Sequence, residues 1–336
     1  VAHHAVVDGW SVGILFRELQ ELYRRFEEGE ECALETIAQP EFQLVDFSHW
    51  QRKLYAKRDR REVNYWRRLL GDDWPDFKPP LVVDRAVGGK VSAHTVSVFL
   101  SVQRVRGLKR LSHLAGTSLN VVLLTAYATF LARLSKQRAV MVRFPHAARP
   151  HGTEATIGCF ADALVLRVDV ANDISFLETT KKVHTAFYSA LENPVPFAML
   201  PELLEVGEDV LPSLNRVVLN LEQSISFVNI ERTLGSQVAA TDLDIQPNVN
   251  IDTSVVYSML SLNEASDGSM RGEWQLTSLG FSKEIAEYLS TAFEAWVASI
   301  DGSLGAILIH CLNLDWNLSS ADVEDEVDSD DLFGDD

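Results

Sequence analysis

The chain lacks several features that would place it in a common protein class. Its three cysteines, Cys32, Cys159 and Cys311, are far apart and form no CxxC pair, so neither a disulfide framework nor a zinc cluster is predicted. No apolar run reaches the roughly 18 residues of a membrane-spanning helix, and no secretion signal opens the chain. Basic residues are in the minority, which disfavours nucleic acid as a partner. We therefore expect a cytoplasmic protein that binds neither membrane nor nucleic acid.

The composition is that of a protein with a large core. Hydrophobic residues make up 46% of the 336 residues, and this length favours two domains or lobes. Residues 74–90 are rich in proline and glycine and are predicted to link the lobes. Hydrophobic periodicity predicts helices at residues 12–26, 103–115, 119–135, 177–191 and 283–300, and strands at residues 91–102, 139–144, 163–170, 216–221, 249–260 and 272–278. Such alternation indicates an α/β fold or an α+β sandwich.

Acidic residues are concentrated at the end of the chain. The net charge is −18, and residues 319–336 contain nine acidic residues and no basic one. A segment this charged cannot bury enough apolar surface to fold, so we expect an acidic tail that is disordered. It is interpreted either as a solubilising terminus or as a docking segment, in which Leu332 and Phe333 would anchor to a basic partner surface.

The most informative stretch is HHAVVDG at residues 3–9, which lies beside the start of the first predicted helix. An imidazole can accept a proton from a nucleophile at neutral pH, and a carboxylate can hold such a site in place. His3 and His4 are adjacent and point to opposite sides, so only one of them can address a given substrate atom. Gly9 permits a positive φ or a close backbone approach before the helix. The pattern points to acyl transfer.

Three other interpretations of the histidine pair remain open at this point. The two rings could be buried structural side chains, or they could lie in a solvated turn. A metal site is a third possibility, but adjacent histidines lack the spacing that places two ligands on one face.

Several segments resemble the condensation domains of nonribosomal peptide synthetases. HHAVVDGWS at residues 3–11 is similar to the family's HHxxxDG signature, and VDFSHW at 45–50 and NYWRRLL at 64–70 resemble two motifs that follow it. IGCFADALVLR at 157–167 resembles the family's (I/V)GxFVNTLPLR motif, and ENPVPF at 192–197 is a weaker echo of HQDYPFE. The chain departs from the family at Asp162, where asparagine is common. The family's arginine-rich RDxSRNPL motif has no clear counterpart beyond residues 214–216.

The resemblance implies a two-lobed fold like that of chloramphenicol acetyltransferase, with a tunnel between the lobes and a truncated N-terminal lobe. Residues 1–90 would be the remainder of that lobe, including the linker, residues 91–318 the C-terminal lobe, and residues 319–336 the tail. It also implies an acyltransferase that joins a carrier-bound amine to a carrier-bound thioester. The partners would be peptidyl or aminoacyl carrier proteins that bring their own phosphopantetheine, and the chain itself would bind no cofactor or metal.

The resemblance also suggests roles for individual residues. His4 would accept or position the proton of the attacking amine. Asp8 would hold the site through an ion pair, for which Arg149 is the candidate partner. The remaining assignments are a structural role for His3, a backbone contribution of Gly9 to the oxyanion, and a place in the substrate tunnel for Trp10, Ser11 and Asp162.

Other functions with the same signature remain open. An epimerisation domain or an ester-forming acyltransferase also carries HHxxxDG, whereas a heterocyclisation domain has a DxxxxD pattern instead and is disfavoured. The departures would equally allow a degenerate module that binds carrier proteins without catalysis.

Overall fold

The structure, a computed structural model, describes residues 2–29, 40–56, 60–70, 74–79, 91–171, 174–206, 210–222 and 255–302. Its helices are α1 (Gly9–Glu27), α2 (Leu44–Tyr55), α3 (Arg61–Leu70), α4 (Val102–Ala115), α5 (Leu119–Leu134), α6 (Phe176–Glu192), α7 (Leu200–Leu204), α8 (Val210–Asn215) and α9 (Lys283–Gly302). Its strands are β1 (Ala93–Leu100), β2 (Ala139–His146), β3 (Asp162–Asp169), β4 (Val217–Glu222), β5 (Ser258–Glu264) and β6 (Met270–Thr277). A 3₁₀ turn, Phe197–Met199, precedes α7.

The strands form one mixed sheet in the order β1-β6-β5-β4-β2-β3. Strand β4 runs parallel to both β2 and β5, while the other neighbouring pairs are antiparallel. The β2–β3 pair starts at Ala139 opposite Asp169 and ends at His146 opposite Asp162. The residues that connect these strands, 147–161, are called the β2–β3 loop below. The mixed sheet with helices confirms the predicted fold class.

Helix α5 forms the centre of the core. The Ser118 side chain accepts a hydrogen bond from the Val121 amide at its start, and Gly116 ends the preceding helix in the left-handed conformation with φ 65°. Nearly every side chain from Val121 to Leu134 is buried. A helix that is apolar on all sides is expected in the core, and this one lies there.

Four aromatic rings pack edge to face where α5 and α9 meet the sheet: Tyr127, Phe130, Trp274 and Phe293. Their polar atoms converge on Ser258 of β5. Its Oγ lies 2.7 Å from the Tyr127 hydroxyl and 2.8 Å from Trp274 Nε1, which donates to it. The two polar aromatic groups in this core are therefore satisfied.

Helix α1 is much less enclosed. Only Ser11 and Ile14 are buried along its 19 residues, and four large apolar side chains beyond its first turn are exposed. These side chains are Leu15, Leu19, Tyr23 and Phe26. The described residues thus leave uncovered much of an amphipathic helix.

Hydrogen bonds join residues 2–79 to the rest of the chain. Trp66 Nε1 donates to the Asn193 carbonyl at 2.8 Å, and the Tyr55 hydroxyl donates to the carbonyl of the next residue, Pro194. Thr156 of the β2–β3 loop donates to the Phe42 carbonyl at 2.6 Å. The segment ENPVPF is therefore a structural contact for α2 and α3.

The predicted elements agree with the observed ones except at some ends. The first strand stops at Leu100 because the Ser101 side chain caps α4 by accepting from the Arg104 amide. The strand predicted for residues 249–260 overlaps β5 only at residues 258–260, because β5 runs from Ser258 to Glu264. The chain reverses after β5, in a tight turn at Gly268, whose φ is 82°. Several segments singled out in the sequence lie outside the described residues: 249–254, most of the predicted linker, Cys32, Cys311 and the acidic tail.

No single described helix is both long enough and apolar enough to cross a bilayer. Helices α4 and α5 together reach the required length and composition, but they bend by 104° at their junction.

Candidate functional site

The site is organised by an ion pair between Asp8, which caps α1, and Arg149 of the β2–β3 loop. Arg149 Nη2 donates to Asp8 Oδ1 at 2.9 Å, and the two side chains are only 4% and 3% exposed. These groups are 141 residues apart in the sequence. The pair therefore fastens the start of α1 to the loop that connects β2 and β3.

Three backbone carbonyls of the loop also accept hydrogen bonds from Arg149. Nη1 donates to Thr153 at 2.9 Å and to Thr156 at 2.7 Å, and Nη2 donates to Gly158 at 3.2 Å. The guanidinium lies 4.4 Å from the centre of the Phe160 ring, a cation–π contact. The arginine thus shapes the loop around itself.

Ser11 completes this arrangement. Its amide and its hydroxyl both donate to Asp8 Oδ1, at 2.8 and 2.7 Å. The hydroxyl oxygen also accepts from Arg149 Nη2 at 2.9 Å and from the Gly158 amide at 3.0 Å. We call Asp8, Ser11 and Arg149 the lock. The sequence placed Ser11 in the tunnel, whereas the structure shows it fully buried with its hydroxyl enclosed in the lock.

The Asp8 carboxylate is held in its charged form. Burial alone would raise its pKa, but hydrogen bonds from Ser11, from the Phe160 amide and from Arg149 outweigh burial and lower the pKa below the usual 3.8. The Phe160 amide donates to Oδ2 at 3.0 Å, so each carboxylate oxygen accepts at least one hydrogen bond. A charged, fully engaged aspartate holds structure and is not available as a base.

Gly158 belongs beside the lock because of its size. A Cβ at this position would lie 3.0 Å from Leu44 Cβ and 3.1 Å from the Phe160 ring, closer than most real contacts. Helix α2 therefore packs directly against the backbone of the β2–β3 loop.

His4 lies just before the lock and is exposed. Its Nδ1 is 2.9 Å from the Val7 carbonyl oxygen. A carbonyl can only accept, so Nδ1 carries the proton and a neutral ring presents Nε2 as a free acceptor. Nε2 has no hydrogen-bond partner among the residues that the structure describes. An imidazole held in this way can accept a proton at Nε2.

His3 is also exposed, and its Nδ1 accepts a hydrogen bond from the Ala5 amide at 3.1 Å. The two rings therefore bond to different parts of the turn that precedes α1. Among the described residues, no three His, Cys, Asp or Glu side chains are grouped as a metal site would require.

Cys159 brings the β2–β3 loop up to His4. Its Sγ lies 3.7 Å from His4 Nδ1. Burial and the charge of Asp8 raise the pKa of the thiol, so Cys159 remains neutral and packs beside the imidazole. The sequence disfavoured Cys159 as a disulfide or zinc ligand and placed it inside the motif IGCFADALVLR, but nothing in that motif indicated its contact with His4.

Trp10 and Gly9 occupy the exposed first turn of α1. Trp10 is 47% exposed, and its Nε1 donates to the Glu154 carbonyl at 3.0 Å. The backbone contribution of Gly9 to the oxyanion stays a prediction. The helix starts at Gly9, and the φ of this residue is not in the positive range that glycine permits. The reason is that Asp8 serves as the N-cap, accepting from the Ser11 amide, so no special backbone conformation is required.

Asp162 forms a second polar centre at the base of the β2–β3 loop. Its Oδ1 accepts hydrogen bonds from the Ala163 amide at 2.8 Å and from the Phe197 amide at 3.1 Å. Burial raises the pKa of this carboxyl, although His146 and Arg143 nearby counteract the shift. The pKa of His146, its partner across the strands, is lowered by burial. The resemblance singled out Asp162 for the substrate tunnel, which stays a prediction, and the sequence did not single out His146 or Arg143.

Most of the missed residues act through their backbone. Thr153, Thr156 and Gly158 offer carbonyl groups to Arg149, and a carbonyl leaves no trace in the side-chain sequence. Gly158, Cys159 and Phe160 lie inside the motif IGCFADALVLR, so their positions near the site were available from the resemblance, although their contacts were not.

Comparisons with known proteins identify the family of this chain. A family model described as "Condensation domain" matches residues 1–298. A linear gramicidin synthase of Brevibacillus parabrevis is 28% identical over 328 residues, which cover 94% of this chain and 6% of that protein. The chain thus spans a small part of the curated relatives it matches.

Solved structures support the same fold. The X-domain from teicoplanin biosynthesis aligns with a TM-score of 0.70 and 20% identity over 93% of this chain and 70% of its own. The first condensation domain of the calcium-dependent antibiotic synthetase, solved with a substrate analogue, aligns with a TM-score of 0.63 and 20% identity, covering 93% of this chain and 68% of its own. The match over residues 1–298 shows that the chain belongs to the condensation domain family.

Proposed function

We propose that this chain carries the catalytic site of an amide-forming condensation domain of a nonribosomal peptide synthetase. The amine of an acceptor aminoacyl group attacks the thioester carbonyl of a donor acyl or peptidyl group, and the donor's thiol leaves. Both groups arrive on the phosphopantetheine arms of carrier proteins, which are the partners. The observation that carries the proposal is the lock, which fixes the turn containing His4 beside the loop that contains Cys159.

His4 acts as the base in this reaction. Its Nδ1 is engaged by the Val7 carbonyl at 2.9 Å, which orients the ring and leaves Nε2 for the amine proton. Asp8 and Arg149 do not contact substrate. They hold the first turn of α1, whose free amide groups favour the developing negative charge on the carbonyl oxygen.

We further propose that residues 1–90 belong to a first lobe and residues 91–318 to a second. The exposed apolar face of α1 supports this division, because such a face is normally covered by other elements of the same lobe. Exchange of the α1 amide hydrogens tests it: in a chain that includes a complete first lobe, these amides should exchange more slowly than in residues 1–336.

The catalytic proposal is tested in the whole protein that contains residues 1–336, supplied with loaded donor and acceptor carrier proteins. His4→Ala should reduce formation of the dipeptidyl product by about 100-fold or more, as expected for loss of a positioned base. His3→Ala is the matched control and should have a much smaller effect. Product formation that is unchanged in His4→Ala rules out the assigned base, and carrier binding without any turnover by the wild type favours a binding module instead.

A further inference from the structure

The Asp162 carboxyl is a polar group that the reaction described above does not use. It opens β3 and lies directly opposite His146, the last residue of β2. Its Oδ1 is held by two backbone amides, those of Ala163 and Phe197. Oδ2 has no hydrogen-bond partner, and the carboxyl forms no ion pair, among the residues that the structure describes. The backbone thus holds Oδ1, while Oδ2 can accept a hydrogen bond from a ligand.

The nearby basic groups do not neutralise this carboxyl directly. The Arg143 guanidinium is bonded elsewhere: its Nη1 donates to Asn215 Oδ1 at 2.6 Å, and its centre lies 5.5 Å from that of the Phe197 ring. Burial lowers the pKa of His146, which favours the neutral ring. A partly buried carboxylate without an ion-pair partner is costly for the fold, and an external cation would relieve that cost.

Asp162 also lies near the reacting groups. It follows Cys159 by three residues, so the two Cα atoms are at most about 11 Å apart. Cys159 Sγ in turn lies 3.7 Å from the His4 ring. The charge of Asp162 reaches this thiol and contributes to raising its pKa. The Asp162 carboxyl is thus close to Cys159, which contacts the His4 ring.

We propose that Asp162 binds a positively charged amino group of the acceptor substrate. This inference rests on the proposed function, and it names the class of group that the acceptor carries at this site. The group is either the α-ammonium or an ammonium on the acceptor's side chain. An aliphatic amine is largely protonated near neutral pH, so a carboxylate at the site would capture the common form of the acceptor. The α-ammonium loses one proton to solvent before attack, so that His4 Nε2 is free to accept the second proton as the amine attacks. The leaving thiolate then takes up that proton.

The test measures binding, which needs no reaction. The ligands are pantetheine analogues in which an amide nitrogen replaces the thioester sulfur, so that they cannot be cleaved. The alanyl analogue carries an α-ammonium, the N-acetyl-lysyl analogue carries only a side-chain ammonium, and the propionyl analogue carries neither. Dissociation constants are measured by calorimetry for the whole protein that contains residues 1–336 and for its variants.

The wild type should bind one of the charged analogues about tenfold or more tightly than the propionyl analogue, as a charge-assisted hydrogen bond predicts. The analogue that is preferred identifies the source of the ammonium. Asp162→Asn and Asp162→Ala should both lose this preference while propionyl binding stays within about twofold. Asp169→Asn is the matched control at the other end of β3, where the carboxyl is 70% exposed, and should retain the preference.

Equal binding of the three analogues by the wild type, including no binding of any, overturns the inference. So does a preference that survives in Asp162→Asn with an unchanged melting temperature. Asp162→Ala covers the case in which the asparagine variant fails to fold. Absence of amide formation by a wild type that still prefers an ammonium counts against the proposed function and leaves this inference standing.

Discussion

The lock and the aromatic core are both buried, but they are held together by different forces. Around Trp274 and Phe293 the contacts are between rings, and the polar atoms meet at one serine hydroxyl. Around Arg149 nearly every contact is a hydrogen bond to a charged group, and the partners lie on segments far apart in the chain. The aromatic core is stabilised by the apolar surface that it buries, whereas the geometry of the lock is fixed by hydrogen bonds between opposite charges.

This difference bears on function. Ring packing tolerates small shifts because its stabilisation is the sum of many weak contacts. The lock has no such tolerance, since losing one member leaves a buried charge without compensation. A site that must hold an imidazole within a fraction of an ångström is better fixed by charged hydrogen bonds than by packing alone.

The largest effect is expected from Asp8→Asn, which keeps the side-chain shape but removes the charge that faces Arg149. We expect a loss of about 3 to 5 kcal/mol in the free energy of unfolding, because the arginine remains buried and unpaired. Urea denaturation measures this loss. Asp169→Asn, which removes one partner of the exposed pair with Arg167, should change stability by at most about 1 kcal/mol.

The same variant has a defined pH dependence. Since the pKa of Asp8 is lowered in the folded state, its charge stabilises the fold at pH values above the unfolded pKa, near 3.8, and this stabilisation is lost as the pH falls through the folded value. The stability difference between wild type and Asp8→Asn should therefore shrink below about pH 4. A difference that stayed constant down to pH 2 would show that the charge of Asp8 is not what stabilises the lock.

A smaller effect is expected in the core from Tyr127→Phe. The change removes a hydroxyl that lies 2.7 Å from Ser258 Oγ and keeps the ring. Ser258 still accepts from Trp274 Nε1, so we expect a loss of about 1 kcal/mol in the free energy of unfolding and no change in amide formation. Tyr188→Phe, at a side chain 40% exposed, is the control and should be close to neutral. A loss as large as that in Asp8→Asn would remove the distinction between the two regions.

The two regions also differed in how far the sequence predicted them. Periodicity predicted the core helix α5 because its apolar character is a local signal, as is the Ser118 side chain that the structure shows as its cap. The pairing of Asp8 with Arg149 came from the resemblance and not from the residues themselves, since nothing local joins positions 141 residues apart. The carbonyls that accept from Arg149 were not predicted, because a backbone group contributes to a site through the path of the chain.

The placement of Cys159 and of His146 shows the same limit. Each became relevant only through the β2–β3 loop, which brings one beside His4 and sets the other opposite Asp162. The position of a residue within a loop does not determine whether its side chain faces a neighbouring helix. The pairing of His146 with Asp162 depends on the register of β2 and β3, which the sequence alone did not provide.

The smallest effect on stability, and the sharpest test of the site, is expected from Gly9→Ala. A Cβ at Gly9 or at Gly13 would meet no atom within 4 Å, and neither residue has a positive φ. Alanine should therefore stabilise α1 at both positions, by about 0.5 to 1 kcal/mol.

The two variants should differ in amide formation. Gly13→Ala should match the wild type. Gly9→Ala should be slower, because a methyl group would crowd the exposed helix terminus that we assign to the reacting carbonyl. Since nothing in the described fold requires glycine at residue 9, a loss of activity that accompanies a gain in stability would place the substrate at this terminus. Equal activities of the two variants would show that Gly9 does not belong to the site. The lock would then be the only feature that supports the proposed site.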